Sequence, residues 1–248
     1  MFGKSYNSSV TVIIAAGGSG ARMGGVYKPL EKLNGKEVIS YSLELFEKCP
    51  MVKKIVIAAR PDKIDDLKRL CEHSGFSKVS DIISGGVERQ DSVEQAFLAA
   101  FKVPEDVTRL VAIHDAARPL LTYDSMLEVF ETALKYGGAA LASRVRDTVK
   151  KTDLANVVCD QVDRTDLWLI QTPQVFDSDI YHTALGNAKK NGLKVTDDCA
   201  LVTAAGFKVV LCENDPMNIK LTYLEDILLA SAIISLRENR ENNQEKSV

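Results

Sequence analysis

The chain lacks a strong charge of either sign, any cysteine pair at metal-binding spacing, and any apolar run long enough to cross a bilayer. Lys plus Arg (31) against Asp plus Glu (34) leaves a net charge of −3 over 248 residues. The molecule as a whole therefore has no electrostatic footprint for nucleic acid, and any anionic ligand must be held by local positive charge. The five cysteines, Cys49, Cys71, Cys159, Cys199 and Cys212, are scattered and form no Cys-x-x-Cys. That pattern argues for reduced cytosolic thiols over a disulfide framework or a zinc site. The opening Met-Phe-Gly-Lys-Ser-Tyr-Asn carries no secretory h-region. The longest apolar stretch, 227–236, is short and interrupted by Ser231 and Ser235. The expectation is a soluble cytoplasmic protein with neither membrane nor nucleic-acid partners.

Two familiar phosphate loops are also missing. No Gly-Lys-Ser/Thr triplet completes a Walker A loop. Gly18 and Gly20 begin a dinucleotide fingerprint, but Met23 stands where its third glycine belongs, which excludes a nicotinamide oxidoreductase on that motif. What is present is an apolar, β-branched run from Val10 to Ile14, followed by Gly17, Gly18, Gly20, Gly24 and Gly25. Glycines let the chain turn tightly and bring backbone N–H groups close to an anion. Arg22 and Lys28 add two positive charges beside them. The stretch reads as a loop that grips a polyphosphate; the plainer reading is a glycine-rich strand-to-helix connection with two solvated basic residues.

Hydrophobic periodicity predicts strands over 10–14, 54–59, 78–84, 109–113, 139–143 and 208–211, and helices over 37–48, 63–73, 91–102, 126–136, 177–190, 196–205 and 224–236. Asp91 with Glu94 suggests a capping box for the third helix, and Thr196 a cap for the sixth. Strands alternating with helices at this spacing argue for right-handed βαβ units and a mostly parallel sheet. Ligands of such sheets sit beyond the carboxyl ends of the strands. The glycine loop, the turn 85–90 and the turn 114–119 each follow a strand, so all three belong on one edge. Region 144–176 breaks the rhythm. Its stretches 145–151 and 157–162, joined by 152–156, read as a hairpin too poor in apolar residues to form its own core. A partner subunit or the site itself would cover it. Residues 219–221 read as extended and the polar end of the chain as frayed.

Eight stretches in order resemble the 2-C-methyl-D-erythritol 4-phosphate cytidylyltransferase family. They are Ala15-Ala16-Gly17-Gly18-Ser19-Gly20-Ala21-Arg22-Met23, Gly85-Gly86-Val87-Glu88-Arg89-Gln90-Asp91-Ser92-Val93, His114-Asp115-Ala116-Ala117-Arg118-Pro119, Arg146-Asp147-Thr148-Val149-Lys150, Val162-Asp163-Arg164, Gln171-Thr172-Pro173-Gln174-Val175-Phe176, Thr196-Asp197-Asp198 and Asn218-Ile219-Lys220. One departure is Pro29-Leu30 after Lys28, which is more like the sugar-phosphate nucleotidyltransferases.

The resemblance implies an α/β, Rossmann-like three-layer nucleotidyltransferase fold with a mostly parallel sheet. It implies one domain over 1–240, a β-arm over about 144–166, and a disordered tail over 241–248. It implies transfer of CMP from CTP to 2-C-methyl-D-erythritol 4-phosphate, giving CDP-methylerythritol and pyrophosphate, with Arg22, Lys28 and Lys220 catalytic. Nucleotide binding falls to Ala15, Ala16, Gly17, Gly18, Gly20, Gly85, Gly86, Ser92 and Asp115. Arg118, Thr148, Arg164, Thr172, Thr196 and Lys220 would hold the polyol phosphate. Mg²⁺, carried mainly by the CTP phosphates, would meet Asp115 directly or through water. The arm implies a homodimer. Two alternatives stand beside this reading: a cytidylyltransferase for another polyol phosphate such as ribitol 5-phosphate, and a non-catalytic nucleotide-binding homologue.

Overall fold

The computed structural model describes residues 9–18, 20, 24–103 and 108–245, with side chains as far as residue 240. In chain order its elements are β1 (Val10–Ala16), β2 (Lys32–Leu33), β3 (Lys36–Glu37), α1 (Val38–Lys48), β4 (Val52–Ala59), α2 (Ile64–Ser74), β5 (Val79–Ser84), α3 (Arg89–Ala100), β6 (Leu110–Asp115), α4 (Tyr123–Tyr136), β7 (Gly138–Arg144), β8 (Val149–Thr152), β9 (Val158–Val162), β10 (Trp168–Asp177), α5 (Ser178–Asn191), α6 (Asp198–Ala204), β11 (Val210–Glu213) and α7 (Glu225–Glu245). Seven strands form one sheet in the order β11-β7-β10-β6-β1-β4-β5. Only β10 runs antiparallel to its neighbours, β6 and β7; the remaining pairs are parallel.

The continuous apolar run of β1 follows from its central place, because a strand covered on both faces needs apolar residues at every position. Val10, Val12 and Ile14 face a core shared with Phe46 of α1, Leu67 of α2 and Phe130 of α4. Ile13 faces the opposite core, with Phe97 of α3, Tyr181 of α5 and Leu201 of α6. The result is the expected three layers. Each fully buried side chain of this size contributes about 1.5–3 kcal/mol. The one polar residue in the run, Thr11, accepts a hydrogen bond from Thr108 Oγ1 at 2.8 Å. A third cluster docks α7 through Ala230, Ile233 and Ile234 onto Leu33, Val38, Ala117 and Leu120.

Besides the short β2–β3 pair, which was not anticipated, the structure departs from the sequence reading in β10, α3, α6 and α7. The ten-residue strand β10 was not anticipated, because Gln171, Thr172, Pro173 and Gln174 interrupt its apolar pattern. All three polar side chains are buried and satisfied there; Gln171 Oε1, for example, accepts from Asn214 Nδ2 at 2.7 Å. The α3 capping box lies one turn earlier than expected, with Glu88 as N-cap and Asp91 as its reciprocal partner. Asp197, rather than Thr196, caps α6 by accepting from Ala200 N at 2.9 Å. Finally, α7 continues to Glu245 instead of fraying after residue 236. Residues 237–245 contain no Gly or Pro to stop a helix, so the predicted tail over 241–248 is helical at least to Glu245; residues 246–248 lie outside the described residues.

Strands β8 and β9 pair only with each other, as a two-stranded antiparallel hairpin outside the main sheet. Their side chains are almost all exposed. Residues 219–221 form no strand, but Leu221 N donates to Ala117 O at 2.8 Å, tying this segment to the end of β6.

Candidate active site

The carboxyl ends of β1, β5 and β6 meet at a cleft of about 360 Å³, as the strand–turn spacing predicted. In register, Ala15 lies opposite Ala58 on one side and Asp115 on the other. Ala15, Ala16, Gly17, Gly18, Gly20, Lys28, Gly86, Ser92, Asp115 and Lys220 all line this cleft. Gly20 has φ +67°, and a Cβ there would lie 1.9 Å from Val26 O, so only glycine fits. Lys28 opens a single 3-10 turn whose next residue, Pro29, is buried. The departure Pro29-Leu30 thus serves as an anchor under Lys28.

Ser92 is buried in the first turn of α3. Its hydroxyl accepts from Gly86 N at 3.0 Å and donates to Glu88 O at 3.0 Å. Gly85 stands behind it, where an added Cβ would lie 2.8 Å from Ser92 Oγ. The Gly85–Gly86 turn is therefore shaped by Ser92 as much as by its own glycines.

Charge in the cleft is organised around Asp115, the last residue of β6. Asp115 Oδ1 accepts from Arg89 Nε at 3.0 Å, and Oδ2 accepts from Lys220 Nζ at 2.6 Å. Burial pushes this carboxyl up, but the Arg89 guanidinium and Lys220 ammonium hold it well below the usual carboxylate range. Arg89 is itself tied to Asp198, Nη1 to Oδ2 at 2.7 Å. Burial disfavours its charge, yet Asp198 and Asp115 together keep it firmly protonated. The Arg89 link was not singled out from sequence, where Arg89 is one more charged residue of the turn 85–90; only the fold brings its two partners together.

His114 does not line the cleft. It is fully buried, 5.4 Å edge-on to Phe46, and burial lowers its pKa to about 4. Its Nδ1 lies 3.1 Å from Thr172 Oγ1 and its Nε2 lies 3.0 Å from Ser42 Oγ. Since Ser42 Oγ donates to Arg118 O at 3.3 Å, the network assigns Nε2–H as donor and Nδ1 as acceptor of the Thr172 hydroxyl proton.

The remaining predicted residues are divided. Thr172 Oγ1 accepts from Asp115 N at 3.1 Å, bracing the end of β6 from behind. Arg118 donates to Asn218 O at 2.7 Å and Ile170 O at 3.3 Å, which fixes the segment carrying Lys220. Its Nε is buried without a partner. Thr148 and Arg164 line a separate groove on the β8–β9 hairpin that shares no residue with the cleft. Thr196 is exposed beside the α6 cap and lines neither. Arg22 lies outside the described residues.

Among the described residues no group of three or more His, Cys, Asp or Glu could hold a metal. Each Asp115 oxygen already accepts from one cation but retains a second lone pair. One such carboxylate fits a hard cation that arrives on a triphosphate and keeps its waters, not a resident ion. Nor is any helix among the described residues long and apolar enough to cross a membrane.

Comparison with known proteins points one way. The family model described as 2-C-methyl-D-erythritol 4-phosphate cytidylyltransferase matches residues 10–236. The enzyme of that name from Symbiobacterium thermophilum is 41% identical over 226 residues, covering 91% of this chain and 92% of the relative. That from Caldanaerobacter subterraneus is 36% identical over 228 residues, covering 91% and 99%. Among solved structures, 4-diphosphocytidyl-2C-methyl-D-erythritol synthase from Anaerococcus prevotii superposes with a TM-score of 0.79 at 26% identity. The match covers 92% of this chain and 96% of that one.

Proposed function

This chain belongs to the 2-C-methyl-D-erythritol 4-phosphate cytidylyltransferase family, and we infer that it transfers CMP from CTP to 2-C-methyl-D-erythritol 4-phosphate, giving CDP-methylerythritol and pyrophosphate. The observation that carries this reading is the Asp115–Lys220 pair set across a glycine-lined cleft at the carboxyl edge of the sheet. A phosphate oxygen of the polyol phosphate attacks the α-phosphorus of CTP, and the bond to pyrophosphate breaks. The nucleophile is already an anion, so the site needs no general base. What it must supply is positioning of two polyanions and positive charge aimed at the reacting phosphorus.

Lys28 and Lys220 meet that need from the cleft wall. Arg22 is assigned the same role from its place in the glycine loop. The backbone of Ala15, Ala16, Gly17, Gly18 and Gly20 offers N–H groups to the triphosphate, while Gly85, Gly86 and Ser92 form the cytidine side. Asp115 orients Lys220 and offers its remaining lone pairs to Mg²⁺, which when bound offsets phosphate charge. The family resemblance assigns the polyol phosphate to Lys220, Arg118, Thr172, Thr196, Thr148 and Arg164; of these Lys220 lines the cleft, and Arg118 and Thr172 brace its floor. Thr148 and Arg164 sit on the hairpin, apart from the cleft of their own chain. Their position supports a homodimer in which each hairpin completes the partner's site. A cytoplasmic location is part of this proposal; no helix among the described residues is long and apolar enough to cross a membrane.

Pyrophosphate release from CTP and Mg²⁺ with a panel of polyol phosphates tests the reading. Methylerythritol phosphate should give the largest kcat/KM. A larger value with ribitol 5-phosphate would reassign the substrate, and no release with any acceptor would leave a nucleotide-binding protein.

A further inference from the structure

Three residues linked by side-chain hydrogen bonds have no part in the chemistry just described: Arg89, Asp198 and Tyr181. With Asp115 and Lys220 they form one unbroken chain. Tyr181 OH donates to Asp198 Oδ1 at 2.6 Å, Arg89 Nη1 donates to Asp198 Oδ2 at 2.7 Å, Arg89 Nε donates to Asp115 Oδ1 at 3.0 Å, and Lys220 Nζ donates to Asp115 Oδ2 at 2.6 Å. We propose that Arg89 is a positioning residue for the transfer, holding Asp115, and through it the Lys220 ammonium, against a buried anchor made by Asp198 and Tyr181.

The anchor end is rigid. Tyr181 is 1% and Asp198 4% exposed, and the Tyr181 ring packs 5.2 Å from Phe97 and 5.5 Å from Phe176 between centroids. The working end is not. Lys220 is 39% exposed at its side chain and lies between β11 and α7, outside any helix or strand. A long flexible side chain on such a segment samples many rotamers unless a fixed partner selects one. Asp115 is that partner, and its other oxygen is gripped by a guanidinium that Asp198 holds in turn, which opposes rotation of the carboxylate.

Arginine suits this place and lysine does not. Nε and Nη1 diverge to two carboxylates from separate elements, a span that a point-like ammonium cannot make. Arg89 and Asp198 also cancel in charge, so the pair adds geometry rather than net potential to the cleft. Five elements are joined, α3, β6, α5, α6 and the β11–α7 segment, and the contact from Arg89 to Asp198 spans 109 residues.

The test rests on the cytidylyltransferase activity. It compares kcat and both KM values for the intact protein with Mg²⁺, CTP and methylerythritol phosphate. Arg89→Met should lower kcat by about 10²-fold, the scale of losing one preorganised charge contact, with each KM within about threefold. Arg89→Lys should recover part of the loss, since it restores one of two contacts. Tyr181→Phe keeps the ring packing but removes a hydrogen bond to the Asp198 carboxylate, and should lower kcat by about threefold, less than Arg89→Met because Asp198 keeps its bond to Arg89.

The decisive comparison places Arg89→Met in a Lys220→Met background. If Arg89 acts through Lys220, the double variant should be within about twofold of Lys220→Met alone. Losses that multiply, or a folded Arg89→Met with kcat within about twofold of the parent, would overturn the proposal. Should Arg89→Met fail to fold, Arg89→Lys in the same cycle decides. An unaltered protein that releases no pyrophosphate refutes the activity itself, whereas an active protein indifferent to Arg89 refutes only the positioning role.

Discussion

At Gly85 a single methyl group has nowhere to go: its Cβ would meet Ser92 Oγ at 2.8 Å and Ala59 O at 3.3 Å. Gly85→Ala should therefore push Ser92 off Gly86 N. KM for CTP should rise about fivefold, the scale of one hydrogen bond, and an unchanged KM would remove this turn from nucleotide binding. Lys220→Ala should lower kcat by about 10²–10³-fold with an unaltered circular dichroism spectrum; turnover within a factor of a few of the parent would exclude it from the mechanism. His114 carries a prediction about stability. Its folded-state pKa of about 4 lies below the ordinary 6.5, so the unfolded chain binds more protons between those values. Stability from this residue is present above about pH 6.5 and lost as pH falls towards 4. At ~1.4 kcal/mol per unit the loss is about 3 kcal/mol. Urea unfolding of the ligand-free protein at pH 7, 5.5 and 4.5 should show that fall, and His114→Asn should flatten it; an equal slope in both would sink the assignment. Sequence marked Lys220, Asp115 and Ser92 for the site by motif. It could not show that Asp115 holds Lys220, because that contact spans 105 residues.

Among the elements, the β8–β9 hairpin stands apart from the main sheet. It pairs only with itself, and Leu154, Val157 and Val158 are exposed on it. Exposed apolar side chains on a two-stranded ribbon are marginal without a covering surface. If hairpins complete partner sites, mixing a Lys220→Ala chain with an Arg164→Ala chain should restore about a quarter of the parental activity once subunits exchange, since half the dimers are mixed and each regains one intact site. No restoration, with a dimer demonstrated by sedimentation, would place each site within one chain. The hairpin was legible in sequence from its alternation and poor apolar content. Strand β10 was not, because its polar residues read as loop until Asn214, Asn218, Asp215 and Cys199 are seen to satisfy them.

On the scale of the molecule, the third cluster couples stability to the site. Ile233 and Ile234 of α7 pack against Ala117 and Leu120, just beyond Asp115, and Leu221 joins the same cluster beside Lys220. Ile233→Ala should cost about 2–4 kcal/mol, readable as a lowered urea midpoint; a change below about 1 kcal/mol would mean that α7 is not seated there. The sequence by itself determined the three-layer architecture, the sheet edge that carries the site and the family, because strand–helix alternation and glycine-rich turns are local patterns and the motifs are contiguous. Only the tertiary structure decided how the site is held. Tyr181, Asp198, Arg89, Asp115 and Lys220 come from distant parts of the chain, and their hydrogen bonds exist only once burial has excluded water and left each charge the others as partners. A local pattern records which residues a turn needs; it cannot record which buried charge will stand opposite another after folding.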